Sequence, residues 1–281
     1  MRLATLKDGS VVALTPKASI PLEKIGFNGD MKQIIAGGTE TLNEIRKVTA
    51  SATEGIPLQA EAFTAPLSNP NKIVAIGLNY TGHADESKME VPKTPLVFAK
   101  FPSSITGPTG DIIFSTRLTN KVDYEVELAV IIGKEAKNIS RKDALNYVFG
   151  YTILNDVSAR DLQFSESQWV RAKSLDSFCP LGPVIVTADE IKNPQDLELG
   201  CEVNGQSLQH DNTKNMVFGV ADLISILSHS FKFEPGDIIA TGTPSGVGFS
   251  REPPIYLKDG DLVRSWIKGI GELLNFVKST P

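Results

Sequence analysis

Residues 123–132 read DYEVELAVII, and this stretch places acidic side chains in an otherwise apolar strand. Side chains at positions i and i+2 of an extended strand project from the same face. The carboxylates of Glu125 and Glu127 therefore lie on one face with that of Asp123. The other face carries Tyr124, Val126, Leu128, Val130 and Ile132. Carboxylates on a buried face are costly unless a positive charge neutralises them. This strand therefore needs a cation beside it.

A third carboxylate, that of Asp156, follows the apolar run YTIL at residues 151–154 and its neighbour Asn155. Hard divalent cations prefer oxygen ligands, and carboxylates are among the ligands that bind them in proteins. We therefore predict that Glu125, Glu127 and Asp156 together hold a divalent metal ion.

The composition and charge of the chain argue against several classes of function. The 281 residues are 41% hydrophobic, which is enough for a full core, and they carry a formal net charge of −5. Phosphate binding needs a basic surface, so nucleic acid is not expected as a partner. No apolar run approaches the roughly 18 residues of a membrane span, and the charged first residues are unlike a signal peptide. We expect a cytoplasmic protein with no membrane contact, with the mitochondrial matrix left open for a eukaryotic source.

The pattern of short apolar runs predicts a mainly β fold in two parts. Residues 1–68 are weakly patterned and end in a proline-bearing linker, so they are predicted to form a small N-terminal domain. Residues 69–281 are predicted to form the main domain, whose strand candidates are 73–78, 96–101, 111–114, 125–132, 151–156, 183–187, 197–205 and 237–242. Helical periodicity is found at 39–52, 140–147 and 216–228. Many strands with few helices indicate an α+β chain, predominantly β, built as a mixed β-roll or β-sandwich.

Among the three histidines, His83 is the candidate for proton transfer. It lies in the polar loop GLNYTGHADE, three residues before Glu86, and a helical turn there would bring the two side chains together. A carboxylate beside an imidazole raises its basicity and orients it. His210 and His229 are expected to be exposed or structural. The segment from about residue 79 to 92 is polar and charged, which is typical of a mobile lid over a ligand.

Three further residues are candidates for binding an anionic substrate beside the carboxylates. Lys173 precedes an apolar strand, and near a metal centre it would balance charge and steer an anion, although an ordinary surface lysine also fits the sequence. Arg160 and Gln163 follow Asp156 on the next turn of the chain and could contact the same ligand.

Residues 240–248 read ATGTPSGVG, a glycine-rich turn after an apolar strand. The backbone N–H groups around Gly242 and the Thr243 hydroxyl could form an anion-binding nest, and a plain tight turn is the alternative. The chain has no GxGxxG or P-loop motif, so neither a dinucleotide nor a nucleoside triphosphate is indicated.

Taken together, these segments resemble the fumarylacetoacetate hydrolase superfamily. The motifs that carry the resemblance are GLNY(x)2H(x)2E, DYEVELAVIIG, NDVSARDLQ, AKSLDSFCPLGP, VNGQSLQ and GDIIATGTPSGVG, in the family's order, over roughly residues 70–277. The combination of SFCPLGP with PPIYLKDGD resembles the group within it called domain-containing protein 2. The first 65 or so residues do not show the longer N-terminal domain of true fumarylacetoacetate hydrolase, which weakens the case for fumarylacetoacetate as the substrate.

The resemblance implies a β-roll catalytic domain, a homodimer, and Mg²⁺ or Mn²⁺ as the cofactor, with Ca²⁺ as a substitute in crystals. It also implies roles for individual residues of this sequence: Glu125, Glu127 and Asp156 as metal ligands, His83 and Glu86 as a lid-borne proton-transfer pair, and Lys173 and Thr243 as substrate contacts.

The expected substrate is a small 2-oxo acid or 2-oxo dicarboxylate. Three carboxylates leave about three positions of an octahedral Mg²⁺ open, enough for a chelating 2-oxo acid and one water molecule. The metal would then lie where the charge of an enolate develops. We favour cleavage of a C–C bond, as in an acylpyruvate hydrolase or an oxaloacetate decarboxylase. Enol–keto tautomerisation of oxaloacetate at the same site is the alternative.

Two other classes of function fit the sequence less well than this prediction. A metal-free glycosidase also uses paired carboxylates, but glutamates two residues apart on one strand are too close to flank a sugar. A non-catalytic binding protein of the same superfamily would lack one or more of the site residues, and none is missing here.

Overall fold

The computed structural model describes residues 1–15, 18–51, 62–86 and 90–281. Its strands, labelled β1 to β18 in chain order, are Arg2–Leu6, Val11–Leu14, Ser19–Pro21, Phe63–Thr64, Ile73–Gly77, Leu96–Lys100, Ile105–Thr106, Ile112–Ser115, Val122–Asp123, Val126–Ile132, Val148–Asn155, Ser158–Ala159, Cys179–Thr187, Glu198–Val203, Gln206–Asn212, Ile238–Ala240, Leu262–Ile267 and Gly271–Thr280. Its α-helices, labelled α1 to α4, are Met31–Ser51, Thr81–Glu86, Arg160–Ser165 and Val220–Ser230. Short 3-10 helices are Leu22–Ile25, Pro102–Ser104, Ala144–Tyr147 and Thr213–Asn215. Within these ranges, no helix has the length and apolar character needed to cross a membrane.

Two sheets make up most of the molecule. The larger has eleven strands, with the path β3-β2-β1-β13-β11-β10-β16-β5-β6 and with β4 and β7 attached at its side. The smaller has five strands in the order β15-β14-β17-β18-β8, and β12 pairs with β9 in a separate ribbon. Pairing is mostly antiparallel, with parallel exceptions such as β16 beside β5. The predicted α+β fold, predominantly β, is confirmed.

Strand β10 lies inside the large sheet and is buried on both faces. It pairs antiparallel with β11 and with β16. Its side chains alternate between two cores, because successive residues of a strand point to opposite faces. Leu128 and Val130 enter the core shared with the five-stranded sheet. Ala129 and Ile131 enter the core beneath α1, and Glu127 is on this same face by the alternation.

The N-terminal strands continue the large sheet instead of forming a sheet of their own. β1 pairs antiparallel with β13, with Arg2 opposite Val186. The side chains of α1 then cover one face of that sheet through Ile34 and Ile35. The division into domains at residue 68 stays a prediction from the sequence, and the sheet pairing joins the two predicted parts side by side.

Helix α4 begins later than its periodicity predicts. The pattern started at Met216, whereas the helix is Val220–Ser230. Met216 is extended and forms a bridge with Tyr80, and the next two residues form a bend. Their conformation is held by another loop, because the Val217 and Phe218 N–H groups donate to the Asn79 carbonyl and side chain at 2.7 and 2.9 Å. Gly219 then caps the helix.

The other two helix predictions also need correction. The helix predicted at 140–147 is a turn followed by the short 3-10 helix Ala144–Tyr147, because the Tyr147 carbonyl accepts a hydrogen bond from Gly133 and the chain enters β11. Helix α1 has a kink at Gly38, whose φ of 58° and ψ of −141° are not helical. The part after the kink agrees with the predicted start at residue 39, the part from Met31 to the kink was not predicted, and the predicted end at residue 52 lies outside the described residues. Strands β15, β17 and β18 were not predicted, because their alternating polar residues give a weaker apolar signal.

The buried strand β10 is expected to carry much of the stability. Leu128→Ala should lower the free energy of unfolding by about 2–5 kcal/mol, because the lost methyl groups leave a cavity in a fully buried site. Leu145→Ala, at a position 43% exposed, is the matched control and should cost under about 1 kcal/mol. Denaturant unfolding measures both, and equal costs would contradict the central position of β10.

Candidate functional site

Two neighbouring strands bring the three predicted carboxylates together. Glu125 directly precedes β10, Glu127 lies within it, and Asp156 directly follows β11. The antiparallel register sets Val126 opposite Asn155, so the start of one strand meets the end of the other. One ligand oxygen from each carboxylate lies within 4.8 Å of the others, and all three side chains are buried. Among the described residues, no other group of acidic, histidine or cysteine side chains meets in this way.

Three cations surround these carboxylates. The Lys173 ammonium donates to Glu125 Oε2 at 2.7 Å and to Asp156 Oδ2 at 2.8 Å. The Lys100 ammonium donates to Asp156 Oδ1 at 2.7 Å and to the Lys173 carbonyl. The Arg160 guanidinium lies 2.6 Å from Glu125 Oε1. Lysine and arginine side chains therefore neutralise part of the charge of these carboxylates.

Asp123 anchors this cluster but does not belong to the group of three. One of its oxygens accepts hydrogen bonds from the Arg160 Nε at 2.8 Å and from the Phe249 N–H at 3.0 Å. The other accepts from the Gly248 N–H at 2.7 Å and from its neighbour Tyr124. Asp123 thus fixes Arg160 against the loop that follows β16.

The electrostatics differ sharply between the two glutamates. Burial raises the pKa of Glu125, but the charges of Lys173 and Arg160 outweigh burial and lower that pKa to about 2. Burial also raises the pKa of Glu127, and the charges of Asp156 and Glu125 raise it further, well above its usual range. Burial lowers the pKa of Lys173, and the two carboxylates facing it reverse that effect, so the net shift is upward. Glu125 therefore has two cation partners, whereas Glu127 has no cation partner among the described residues.

The donor set suits a hard divalent cation. Glu127 forms no ion pair among the described residues, and its Oε2 accepts a 2.8 Å hydrogen bond from the Gly242 N–H. If Asp123, Glu125, Glu127 and Asp156 are all ionised, the three cations leave the cluster with one net negative charge. A buried carboxylate without a cation partner beside two more carboxylates is the pattern that Mg²⁺, Mn²⁺ or Ca²⁺ stabilises.

The polar groups of the glycine-rich turn after β16 form hydrogen bonds with other residues of the protein. Gly242 has φ +95°, and a Cβ there would lie 2.7 Å from the Asn79 Cβ, so only glycine fits. Its N–H is taken by Glu127, while the Thr243 hydroxyl donates to the Val126 carbonyl at 2.9 Å. Thr243 also lines the cleft described below. Substrate binding by Gly242 and Thr243 stays a prediction.

His83 and Glu86 meet on α2 as the i, i+3 spacing predicted. His83 Nδ1 lies 2.7 Å from Glu86 Oε1, and Glu86 Oε2 accepts a 2.8 Å hydrogen bond from the Gly246 N–H. A carboxylate on Nδ1 leaves Nε2 as the nitrogen available for proton transfer. The loop after β16 therefore orients the pair. Residues 87–89 of the predicted lid lie outside the described residues, and its movement stays a prediction.

The other two histidines lie away from this arrangement. His210 is exposed and pairs with Glu198 at 2.8 Å, and His229 is exposed and contacts the Ser225 carbonyl at 2.7 Å. The expectation that they are surface residues agrees with these positions.

A cleft of about 440 Å³, counting its open mouth, brings the histidine and the charged cluster together. Polar side chains from His83, Glu125, Arg160, Gln163, Lys173 and Thr243 line one part of it. Gln163 accepts a 2.8 Å hydrogen bond from Arg160 Nη1. The rest of the lining is mostly apolar, including four aromatic side chains: Phe98, Phe164, Trp169 and Phe249.

Sequence reasoning missed several of these residues. Lys100 gave one usable signal, a lysine that ends the otherwise apolar run LVFAK of β6. Asp123 was placed on the correct strand face, but its bonds to Arg160 and to the later loop connect distant parts of the chain. The aromatic side chains are scattered along the sequence and carry no motif.

The geometry can now be compared with known proteins. The family model for the fumarylacetoacetate hydrolase C-terminal domain matches residues 72–278. The chain belongs to the fumarylacetoacetate hydrolase family. The resemblance inferred from the motifs is therefore confirmed.

Three known proteins show how similar this chain is to other members of the family. Human mitochondrial oxaloacetate tautomerase FAHD2A is 44% identical over 249 residues, which cover 88% of this chain and 79% of that protein. The crystal structure of maleylpyruvate hydrolase from Sphingobium sp. SYK-6 with manganese(II) and pyruvate is 31% identical, with a TM-score of 0.84 over the whole of both chains. Fumarylacetoacetate hydrolase from Exiguobacterium antarcticum is 36% identical, with a TM-score of 0.86 over the whole of both chains.

The two glutamates should respond oppositely when their charge is removed. In metal-free protein, Glu127→Gln should stabilise by about 1–3 kcal/mol, because folding disfavours the charge that Glu127 carries in the unfolded chain, and the amide keeps an oxygen for the Gly242 N–H. Glu125→Gln should destabilise by about 3 kcal/mol, because it leaves Lys173 and Arg160 short of a partner.

Denaturant unfolding with and without Mg²⁺ measures these effects. Glu198→Gln, which changes an exposed carboxylate, is the control and should change little. Added Mg²⁺ should stabilise the wild type and should lose most of that effect in Glu127→Gln. Equal destabilisation by both substitutions, with no response to Mg²⁺, would contradict the assignment.

Proposed function

We propose that this enzyme acts on a small 2-oxo acid through its enolate and needs a divalent metal ion. The observation that carries the proposal is one cleft lined by both His83 and Glu125, with Glu125 belonging to a buried group of three converging carboxylates. Proton transfer and charge stabilisation are the two tasks of enol–keto chemistry, and the cleft offers groups for both.

The residues divide the work between binding and proton transfer. Glu125, Glu127 and Asp156 would hold the ion, which when bound would polarise the 2-oxo group and favour the enolate form. Lys173 would offer its ammonium to the anionic head of the substrate. His83 would take or return the proton on the carbon beside the keto group, and Glu86 would hold the imidazole in place through Nδ1.

Oxaloacetate tautomerisation is the first candidate reaction. The 44% identical relatives bear the name oxaloacetate tautomerase, so the alternative from the sequence has at least as much support as C–C bond cleavage. Tautomerisation needs only that a proton leave one atom and return to another, and the His83–Glu86 pair is sufficient for that step.

Cleavage of a C–C bond is the second candidate, favoured by two observations. A maleylpyruvate hydrolase shares the fold over the whole chain. The same His83–Glu86 pair could also remove a proton from water, which would attack the distal carbonyl and release the enolate of pyruvate. Decarboxylation of oxaloacetate would use the same enolate without a water attack.

Other parts of the proposal rest on relatives. We propose a homodimer with Mg²⁺ or Mn²⁺ as the working ion, and a maleylpyruvate hydrolase of this fold was crystallised with manganese. The cytoplasmic location expected from the sequence stays a proposal, and the relatives named mitochondrial make the matrix an equal candidate.

Removing the imidazole should separate proton transfer from metal binding. His83→Ala should lower kcat by about 100-fold or more, because general acid–base catalysis contributes that much. Its Mn²⁺ affinity, measured by calorimetry, should stay within about threefold of wild type. His229→Ala, a change at an exposed histidine outside the cleft, is the control. Loss of metal binding in His83→Ala would mean instead that His83 is a ligand.

A substrate panel with Mg²⁺ tests the reaction type. Enol–keto exchange of oxaloacetate, release of CO₂ and cleavage of acylpyruvates should be followed in parallel, with oxalate as a competitive inhibitor because it copies a planar enolate. Chelation of the metal should abolish activity. Activity only on simple esters or phosphates, with no inhibition by oxalate, would overturn the proposal.

A further inference from the structure

A chain of hydrogen bonds connects the strand of the predicted metal ligands with the proton-transfer pair. It begins at Tyr124, the residue before Glu125, whose hydroxyl donates to the Gly246 carbonyl at 3.1 Å. The Gly246 N–H then donates to Glu86 Oε2 at 2.8 Å, and Glu86 Oε1 lies 2.7 Å from His83 Nδ1. One residue of the turn after β16, Gly246, therefore has Tyr124 on its carbonyl and Glu86 on its N–H.

Gly246 is the residue in this chain of contacts that most needs fixed partners. Its φ is +102°, and a Cβ there would collide with the Leu208 carbonyl oxygen, so only glycine fits. Glycine has more conformational freedom than any other residue, so its partners decide where its N–H points. Besides Tyr124, the Arg251 Nε donates to the Gly246 carbonyl at 3.2 Å. Arg251 Nη2 also donates to the Leu208 carbonyl, which fixes the turn against β15.

The strand itself holds Tyr124 firmly in place. The Tyr124 ring is fully buried in the core shared with the five-stranded sheet, while its hydroxyl reaches the turn. The Val126 N–H, two residues further on, donates to Gln209 Oε1 at 3.0 Å, and Gln209 Nε2 donates to the Pro244 carbonyl at 2.9 Å. The strand is therefore connected with the turn on both sides of Glu125.

We propose that Tyr124 is a positioning residue for His83, acting through Gly246 and Glu86. The Tyr124 hydroxyl fixes the Gly246 carbonyl, and with it the direction of the Gly246 N–H that holds one oxygen of Glu86. The other oxygen of Glu86 then holds the imidazole through Nδ1 and leaves Nε2 free. This role rests on the proposed function, in which His83 transfers the proton, and deepens it by adding a residue that orients the imidazole. The strand that supplies the predicted metal ligands thereby also sets the direction of the proton-transfer group.

The state of the His83 ring can be measured without turnover. The chain has three histidines, so side-chain ¹⁵N NMR with Mg²⁺ present can follow each ring separately. At a pH at which the ring is neutral, wild-type His83 should show one tautomer with its proton on Nδ1, because Glu86 accepts that proton. Tyr124→Phe should add the second tautomer and move the His83 signals. The signals of His210 and His229, which lie outside the cleft, are internal controls and should not move.

Kinetics show whether the tyrosine acts through the histidine. Tyr124→Phe should lower kcat about three- to tenfold, the effect of losing one hydrogen bond, and should leave the Mn²⁺ dissociation constant within about twofold of wild type. In a His83→Ala background, Tyr124→Phe should change kcat by less than about 1.5-fold, because the group that the tyrosine positions is gone. Tyr151→Phe, which removes the hydroxyl of another buried tyrosine on β11, is the matched control and should leave kcat at its wild-type value.

The possible failures are distinguishable. If 2-oxo acids are converted but the His83 signals do not move in Tyr124→Phe, the positioning role is wrong and the proposed function stands. A loss of kcat that persists in the His83→Ala background has the same meaning. If the His83 signals move but no 2-oxo acid is converted, the proposed function falls and the positioning of His83 stands. If Tyr124→Phe does not fold, Arg251→Gln removes the other donor to Gly246 at a half-buried position, and unchanged His83 signals there would overturn the role.

Discussion

Neutralisation of buried carboxylates at one end of β10 is the interaction on which the rest of the site depends. Four carboxylates and three cations of the described residues meet there, and unpaired charges so deeply buried would cost several kcal/mol each. Lys100 comes from β6, Arg160 from α3 and Lys173 from the segment before β13. The cluster therefore connects segments that lie far apart in the sequence, and the site is complete only when all of them are in place.

The two glutamates of that cluster differ in their partners and in their pKa values, and the proposed chemistry follows from this difference. Glu125 has two cation partners and a pKa lowered to about 2, whereas Glu127 has a backbone N–H and two repelling carboxylates. The ionised form of Glu127 is thus the least stabilised of the group, and a divalent ion bound there would supply the missing positive charge beside a cleft that also contains His83. The Lys173 ammonium and the Arg160 guanidinium also lie over the rings of Phe98 and Phe249.

Much of this arrangement was predictable because it is local in the sequence. The period of two in EVELAVII places Glu125 and Glu127 together, and the three-residue spacing places His83 beside Glu86. Lys100 could not be assigned, because its partner Asp156 is 56 residues away and only the sheet order brings them together. The start of α4 was missed for a similar reason, since Asn79 binds the two N–H groups before it and holds that segment outside the helix. Local patterns therefore predicted which carboxylates converge and that His83 meets Glu86, and long-range pairing decided which cations and rings surround them.

The central claim is that Glu125, Glu127 and Asp156 form a divalent metal centre beneath the His83 cleft. An anomalous difference map from crystals grown with Mn²⁺ and oxalate tests it most directly. We expect one strong peak with an oxygen of each carboxylate at about 2.1 Å, the distance typical of small octahedral divalent ions, and oxalate bound on its cleft side. A peak at other residues, or an ordered Lys173 still bridging Glu125 and Asp156 with no metal between them, would contradict it.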